Sequence, residues 1–302
     1  MSIRPVKSTS PARATLEGAG VHLHRAFGFD DPDMLDPFLL FDDFGSDRPE
    51  DYRAGFPWHP HRGIETITYV LDGEVEHQDS LGNTGVLRAG DVQWMTAGSG
   101  IMHQEMPGAS PSGKMHGFQL WANLPSALKM TTPHYQDIPG SEIAERFDDD
   151  GTRIRIIVGA YRGIQGPVEG VAAEPQYLDI TLPAGVSKTF PMDSTRNSFA
   201  YIFEGRGQFA NASAPTGVLL ERQINGQEVT ARDHSGARTL VQFDSGDSIA
   251  VQAGPEGMRF LLISGAPLRE PIAWHGPIVM NTRQELVQAF DELRNGDFIK
   301  DR

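Results

Sequence analysis

Glu65-Thr-Ile-Thr-Tyr-Val-Leu71, closed by Asp72-Gly73, is a short run of strand formers that ends on a turn, and its pattern returns later in the chain. Tyr69-Val-Leu-Asp-Gly73 is echoed by Tyr201-Ile-Phe-Glu-Gly205. Downstream of each, the same spacing recurs: Gly90-Asp91 stands five residues before Ala97-Gly98, and Gly246-Asp247 five residues before Ala253-Gly254. A repeated strand-and-turn design in a chain of 302 residues predicts two domains of one β architecture.

The segments around these anchors agree. Val92–Thr96, His116–Ala122, Arg153–Val158, Tyr177–Leu182, Phe199–Phe203, Leu240–Phe243, Ser248–Val251 and Met258–Ile263 are all short and rich in β-branched or aromatic residues. Gly and Pro punctuate the chain throughout. The predicted fold is all-β: two tandem jelly-roll-like barrels with a few short helices. Pro133 and Pro139-Gly140 interrupt the strands, so the expected division is 1–138 and 139–302. The clearest helix is Thr282–Leu293, with Thr282 and Glu285 as a capping box and Gly296 beyond its end. A second short helix is expected near Ser141. The second half carries an insertion, Ala210–Arg238, that the first half lacks.

Composition removes several functions. The net charge is −14 and no basic run exists, which opposes direct nucleic-acid binding. The chain has no cysteine, so disulfides, iron–sulfur clusters and thiolate catalysis are excluded. No secretory signal and no apolar run of spanning length is present, and the expected location is the cytoplasm, away from membranes.

His59-Pro-His61 and His103-Gln-Glu105 carry the chemistry. Each is an i, i+2 pair, so on a strand both members face the same side. Two such pairs on neighbouring inward-facing strands surround one point with three imidazoles and a carboxylate. Imidazole suits iron, copper, nickel or zinc, and the carboxylate shifts preference toward harder octahedral ions. Four protein ligands leave two positions open. The competing reading is histidines satisfied in a polar core. Glu65 shares parity with His59 and His61; Glu105 is preferred as the ligand, with Glu65 as a supporting neighbour. His22-Leu-His24 lacks a partner pair and reads as strand surface. In the second repeat the four positions become Pro191, Asp193, Arg259 and Leu261, so the second barrel is expected to hold no metal.

Phe56-Pro-Trp-His-Pro-His-Arg-Gly-Ile-Glu-Thr-Ile-Thr-Tyr69 resembles the first cupin motif of the pirin family. Gly90-Asp-Val-Gln-Trp-Met-Thr-Ala-Gly-Ser-Gly-Ile-Met-His-Gln-Glu-Met-Pro107 resembles its second. Asp36–Phe44, Gln119–Pro125 and Gly276–Thr282 are similar to further family segments. The resemblance implies a bicupin, that is, two tandem cupin barrels, with one mononuclear Fe(II) in the first; Mn, Ni, Cu and Zn are alternatives. It carries the ligand roles onto His59, His61, His103 and Glu105. Some members resemble quercetin 2,3-dioxygenases, which open a flavonol with O2 and release carbon monoxide; eukaryotic members are associated with transcription-cofactor roles. Two functions follow as expectations: a flavonol dioxygenase with Glu105 as catalytic base, or a non-catalytic, iron-dependent redox sensor acting on a protein partner. Phe56, Trp58 and Trp94 are candidates to line a pocket for a flat aromatic substrate, although barrel-core packing is the weightier reading. Arg62 is a candidate to steer an anion, with a structural role the weightier reading.

Overall fold

The computed structural model describes residues 2–30, 32, 34–210, 222–224, 227–229 and 235–300. Twelve strands precede the second domain. They are β1 Val6–Pro11, β2 Arg13–Glu17, β3 Val21–Phe27, β4 Phe38–Asp43, β5 Phe56–His61, β6 Ile64–Asp72, β7 Glu74–Asp79, β8 Thr84–Arg88, β9 Val92–Thr96, β10 Ile101–Gly108, β11 His116–Asn123 and β12 His134–Ile138. A seven-stranded sheet runs β12-β9-β6-β11-β4-β3-β2, and a four-stranded sheet, β5-β10-β7-β8, closes the first barrel against it. The second domain is built on a nine-stranded sheet whose centre pairs Asn197–Phe209 with Ser248–Gly265. The chain crosses the expected boundary at both ends. β1 pairs with Thr239–Phe243 in the second sheet, while the hairpin Ala273–His275/Ile278–Met280 and the helix that follows pack on the first barrel.

The large sheets of the two domains bury their apolar faces against each other. Phe27, Phe41, Ile67, Tyr69, Trp94 and Phe118 meet Tyr177, Phe199, Tyr201, Leu261 and Ile263 in one core. The repeated tyrosines anchor this interface from opposite sides. Tyr69 donates to Asp179 Oδ2 at 2.7 Å, and Tyr201 donates to Asp43 Oδ2 at 2.9 Å. Each phenol thus reaches an acid on the other domain, which satisfies a buried hydroxyl that would otherwise oppose burial. The interior of the second barrel is filled by Ile154, Leu178, Phe190, Phe209, Phe260 and their neighbours.

α1, Arg283–Asn295, begins and ends as its sequence predicts. Thr282 and Glu285 form the reciprocal capping box, and Gly296 closes the helix at φ 81°. The helix expected near Ser141 does not form. Glu142 lies in a turn, and Ala144–Phe147 is a strand paired with Arg153–Val158, so sheet pairing overrides the local helical propensity. His22 is exposed on β3 as expected, while His24 tucks beside Arg238. Most of the insertion after Ala210 lies outside the described residues.

Candidate metal centre and its cavity

β10 alternates strictly: Ile101, His103, Glu105 and Pro107 are buried, and the residues between them are not. Its register against β5 sets His103 directly opposite His59 and Ile101 opposite His61. The imidazoles of His59, His61 and His103 meet inside the barrel, their ligand atoms all within 4.8 Å of one another. His59 Nε2 and His61 Nε2 are 3.1 Å apart.

The other ring nitrogens explain why these atoms face inward. His59 Nδ1 lies 2.9 Å from the Pro57 carbonyl, and His61 Nδ1 lies 3.2 Å from the Pro277 carbonyl. A carbonyl only accepts, so each Nδ1 carries the proton and each Nε2 presents a lone pair to the centre. Both ring nitrogens of His103 are buried and have no hydrogen-bond partner among the described residues. Burial, then the neighbouring imidazoles, hold His61 and His103 well below the ordinary histidine range, and burial lowers His59 as well. Converging neutral lone pairs in a desolvated site are costly unless something electrophilic joins them, and a divalent cation is the species that fits.

Glu105 faces the same cavity but stands outside the three-nitrogen cluster. Its Oε1 accepts from Thr68 Oγ1 at 3.1 Å, and burial pushes its carboxyl up to about 7. Glu65 does not support the histidines. It sits on β6 with Ile67 and Tyr69, facing the inter-domain core, and accepts from Thr96 Oγ1 at 2.9 Å. Parity counted from His61 fails because the chain turns at Gly63 (φ 76°) and passes from the four-stranded sheet to the seven-stranded one.

A cavity of about 470 Å³ opens beside His59, His61 and Glu105, and its lining is mostly apolar. Phe56 lines it, whereas Trp58 points outward and is 46% exposed. A bulge between His103 and Glu105 sets Phe56 opposite Glu105 and reverses the expected alternation on β5. Trp94 is packed in the inter-domain core. Arg62 turns away from the cavity: its guanidinium donates to Glu292 Oε2 at 2.7 Å and to the Phe298 carbonyl at 2.8 Å. It anchors α1 and does not meet an anion in the cavity.

Several contributors escaped the sequence reading. Trp121 packs its ring 5.0 Å from that of His61, and Phe29, Arg25, Asp42 and Gln119 also line the cavity. His77 lies beside His103, ring centroids 5.4 Å apart, with Tyr135 Oη 3.3 Å from its Nε2. His77-Gln-Asp79 repeats the i, i+2 spacing of the two ligand pairs, on the strand paired with β10, so a signal for it existed.

Comparison with known proteins agrees with this architecture. A family model described as Pirin matches residues 20–122, and one described as Pirin C-terminal cupin domain matches 177–299. A pirin-like protein of Caulobacter vibrioides is 41% identical, over 99% of this chain and all of its own length. Human pirin is 38% identical, over 94% of this chain and 90% of its own. A crystal structure of quercetin 2,3-dioxygenase from Acinetobacter baumannii superposes with TM-score 0.83 at 29% identity, covering 98% of both chains. With both family models matched in order and this identity sustained along the chain, the protein belongs to the pirin family and is a bicupin.

Proposed function

We propose that this chain is a flavonol dioxygenase of the quercetin 2,3-dioxygenase type. His59, His61 and His103 hold one divalent ion, iron(II) in the first instance, and Glu105 is the fourth donor and the base. Manganese, nickel, copper or zinc would also suit these donors, with availability deciding among them. One observation carries the reading: a mostly apolar cavity of about 470 Å³ lies directly against the imidazole cluster. That volume falls in the small-molecule range of roughly 300–1,000 Å³. A redox-sensing binding protein needs no such cavity. The likeness to a structure called quercetin 2,3-dioxygenase supports the same substrate class.

A bound divalent ion would supply Lewis acidity and a common meeting point for substrate and O2. The protein contributes the rest. Pro57 and Pro277 fix the tautomers of His59 and His61, so the donor set is oriented in advance. The proton of the flavonol 3-hydroxyl passes to the carboxylate of Glu105, oriented by the Thr68 hydroxyl. Trp121, Phe56 and Leu40 exclude water around a flat ring.

The test is anaerobic reconstitution with Fe(II), then quercetin and O2, following flavonol absorbance and carbon monoxide. Turnover with stoichiometric carbon monoxide, lost in His103→Ala and Glu105→Ala, is expected. Metal uptake without turnover would remove quercetin as a substrate and shift the role to redox-dependent binding.

A further inference from the structure

The floor of the cavity carries a polar row of which the dioxygenase chemistry uses only the Thr68 end. On the seven-stranded sheet, Thr68 of β6 is in register with Gln119 of β11, Gln119 with Asp42 of β4, and Asp42 with Arg25 of β3. All four side chains line the cavity. Three strand spacings separate Thr68 from Arg25, about 14 Å. The row begins at Thr68, which contacts Glu105, and ends at Arg25, which donates to Asp42 through Nε at 2.8 Å and Nη2 at 2.7 Å and to Glu17 through Nη1 at 2.8 Å. On a neighbouring row of the same face Leu40 stands opposite Trp121, and both line the cavity.

We propose that Gln119, Asp42 and Arg25 form a second recognition point, reading phenolic hydroxyls on the ring of a planar polyphenol remote from the histidines. This rests on the flavonol reading given above and adds which flavonols are preferred. Asp42 is 5% exposed, and its carboxylate has lone pairs beyond the two that Arg25 occupies. Arg25 likewise has N–H groups to spare. Gln119 supplies another uncommitted group. Thr68 Oγ1 stands 2.8 Å from Gln119 Oε1 while also facing Glu105, so one hydroxyl hydrogen meets two acceptors. Turning the Gln119 amide resolves this, with its NH2 donating to Thr68 and its oxygen free for a ligand.

The discrimination follows from burial. A ring without hydroxyls would cover these groups and replace none of their contacts with water. A site of this kind rejects an analogue lacking the hydroxyl much more strongly than an apolar pocket rejects one bearing it. Phe29 gives the ring an aromatic face beside the ion pair. The Arg25 guanidinium lies 5.2 Å from its centroid, and the Trp274 ring lies 4.5 Å from it on the C-terminal hairpin.

The experiment is anaerobic titration of the full chain, loaded with Fe(II), by quercetin and by galangin, the flavonol whose phenyl ring bears no hydroxyl. The Kd is read from the flavonol absorbance shift under nitrogen. Quercetin is expected to bind at least tenfold more tightly, as hydrogen bonds to charged groups do. Asp42→Asn and Gln119→Leu should each narrow that ratio while leaving galangin affinity within about twofold. Two variants are needed because Asp42→Asn removes one of the two Arg25 counter-charges and can lower stability; Gln119→Leu alone suffices if it does. Equal affinities in the wild-type chain, or a ratio that survives both substitutions, would overturn the proposal while leaving the flavonol reading in place. Binding of neither flavonol to the loaded protein would overturn both.

Discussion

Replacing Arg62 with Met should release the C-terminal helix from the first barrel. The side chain is 2% exposed and makes three contacts with the C-terminal segment. These are the ion pair to Glu292 at 2.7 Å, the bond to the Phe298 carbonyl at 2.8 Å and a stack 4.2 Å from the Phe298 ring centroid. A charge-assisted hydrogen bond contributes about 1.5–3 kcal/mol, and a stranded buried carbonyl costs about 1–3 kcal/mol. A desolvated cation–π contact adds up to about 2 kcal/mol. These terms overlap, and Met keeps the apolar stem while avoiding the desolvation of a buried charge, so the net loss should be about 3 kcal/mol. Glu292→Gln should cost less, about 1 kcal/mol, because that carboxylate is partly exposed. The assay is urea-induced unfolding together with amide hydrogen exchange across α1. A loss below about 1 kcal/mol, with helix protection unchanged, would refute the anchoring role.

Other consequences are open to measurement. Bonds from Gln288, Arg62 and Lys300 outweigh desolvation and pull the Glu292 carboxyl down from 4.5 to about 2. A depressed carboxylate contributes stability above its unfolded pKa and loses it as pH falls, so protection of α1 should decline between about pH 4.5 and 2. Glu292→Gln should flatten that decline, and a variant with the wild-type profile would contradict the assignment. Tyr69→Phe removes a hydroxyl that donates to Asp179 and accepts from Arg155 at 2.6 Å, and should cost about 2 kcal/mol in unfolding free energy. An unchanged denaturation midpoint would show that this latch is not stabilising. Trp121 is 5.0 Å from His61, so a paramagnetic divalent ion should quench its emission; Trp121→Phe should lose most of the metal-dependent change, and full retention would place the ion elsewhere.

Much of this molecule is legible in its sequence because strands impose a period of two. The His59/His61 and His103/Glu105 pairs fall on facing strands as that period requires, and the Tyr69 and Tyr201 anchors mark equivalent places at the inter-domain interface. The misplacements share one cause: parity holds only within an uninterrupted strand. The Gly63 turn resets the count before Glu65, and the bulge opposite His103–Glu105 reverses it at Phe56, while Trp58 keeps the outward parity counted from His59. The far end of the cavity was invisible for another reason. Arg25, Asp42, Gln119 and Trp121 become neighbours only through the pairing order β6-β11-β4-β3, which skips along the chain and leaves no local signature. The strand near Ser141 likewise depends on a partner that local propensity does not reveal.

The proposed site joins three neutral imidazoles in the first barrel around one divalent ion. Elemental analysis of the protein after anaerobic loading with Fe(II) and desalting tests it most directly, with His61→Ala/His103→Ala measured in parallel. About one ion per chain is expected in the wild type and almost none in the double variant, which should still be folded by circular dichroism. An equal metal content in both proteins, or none in the wild type, would contradict it.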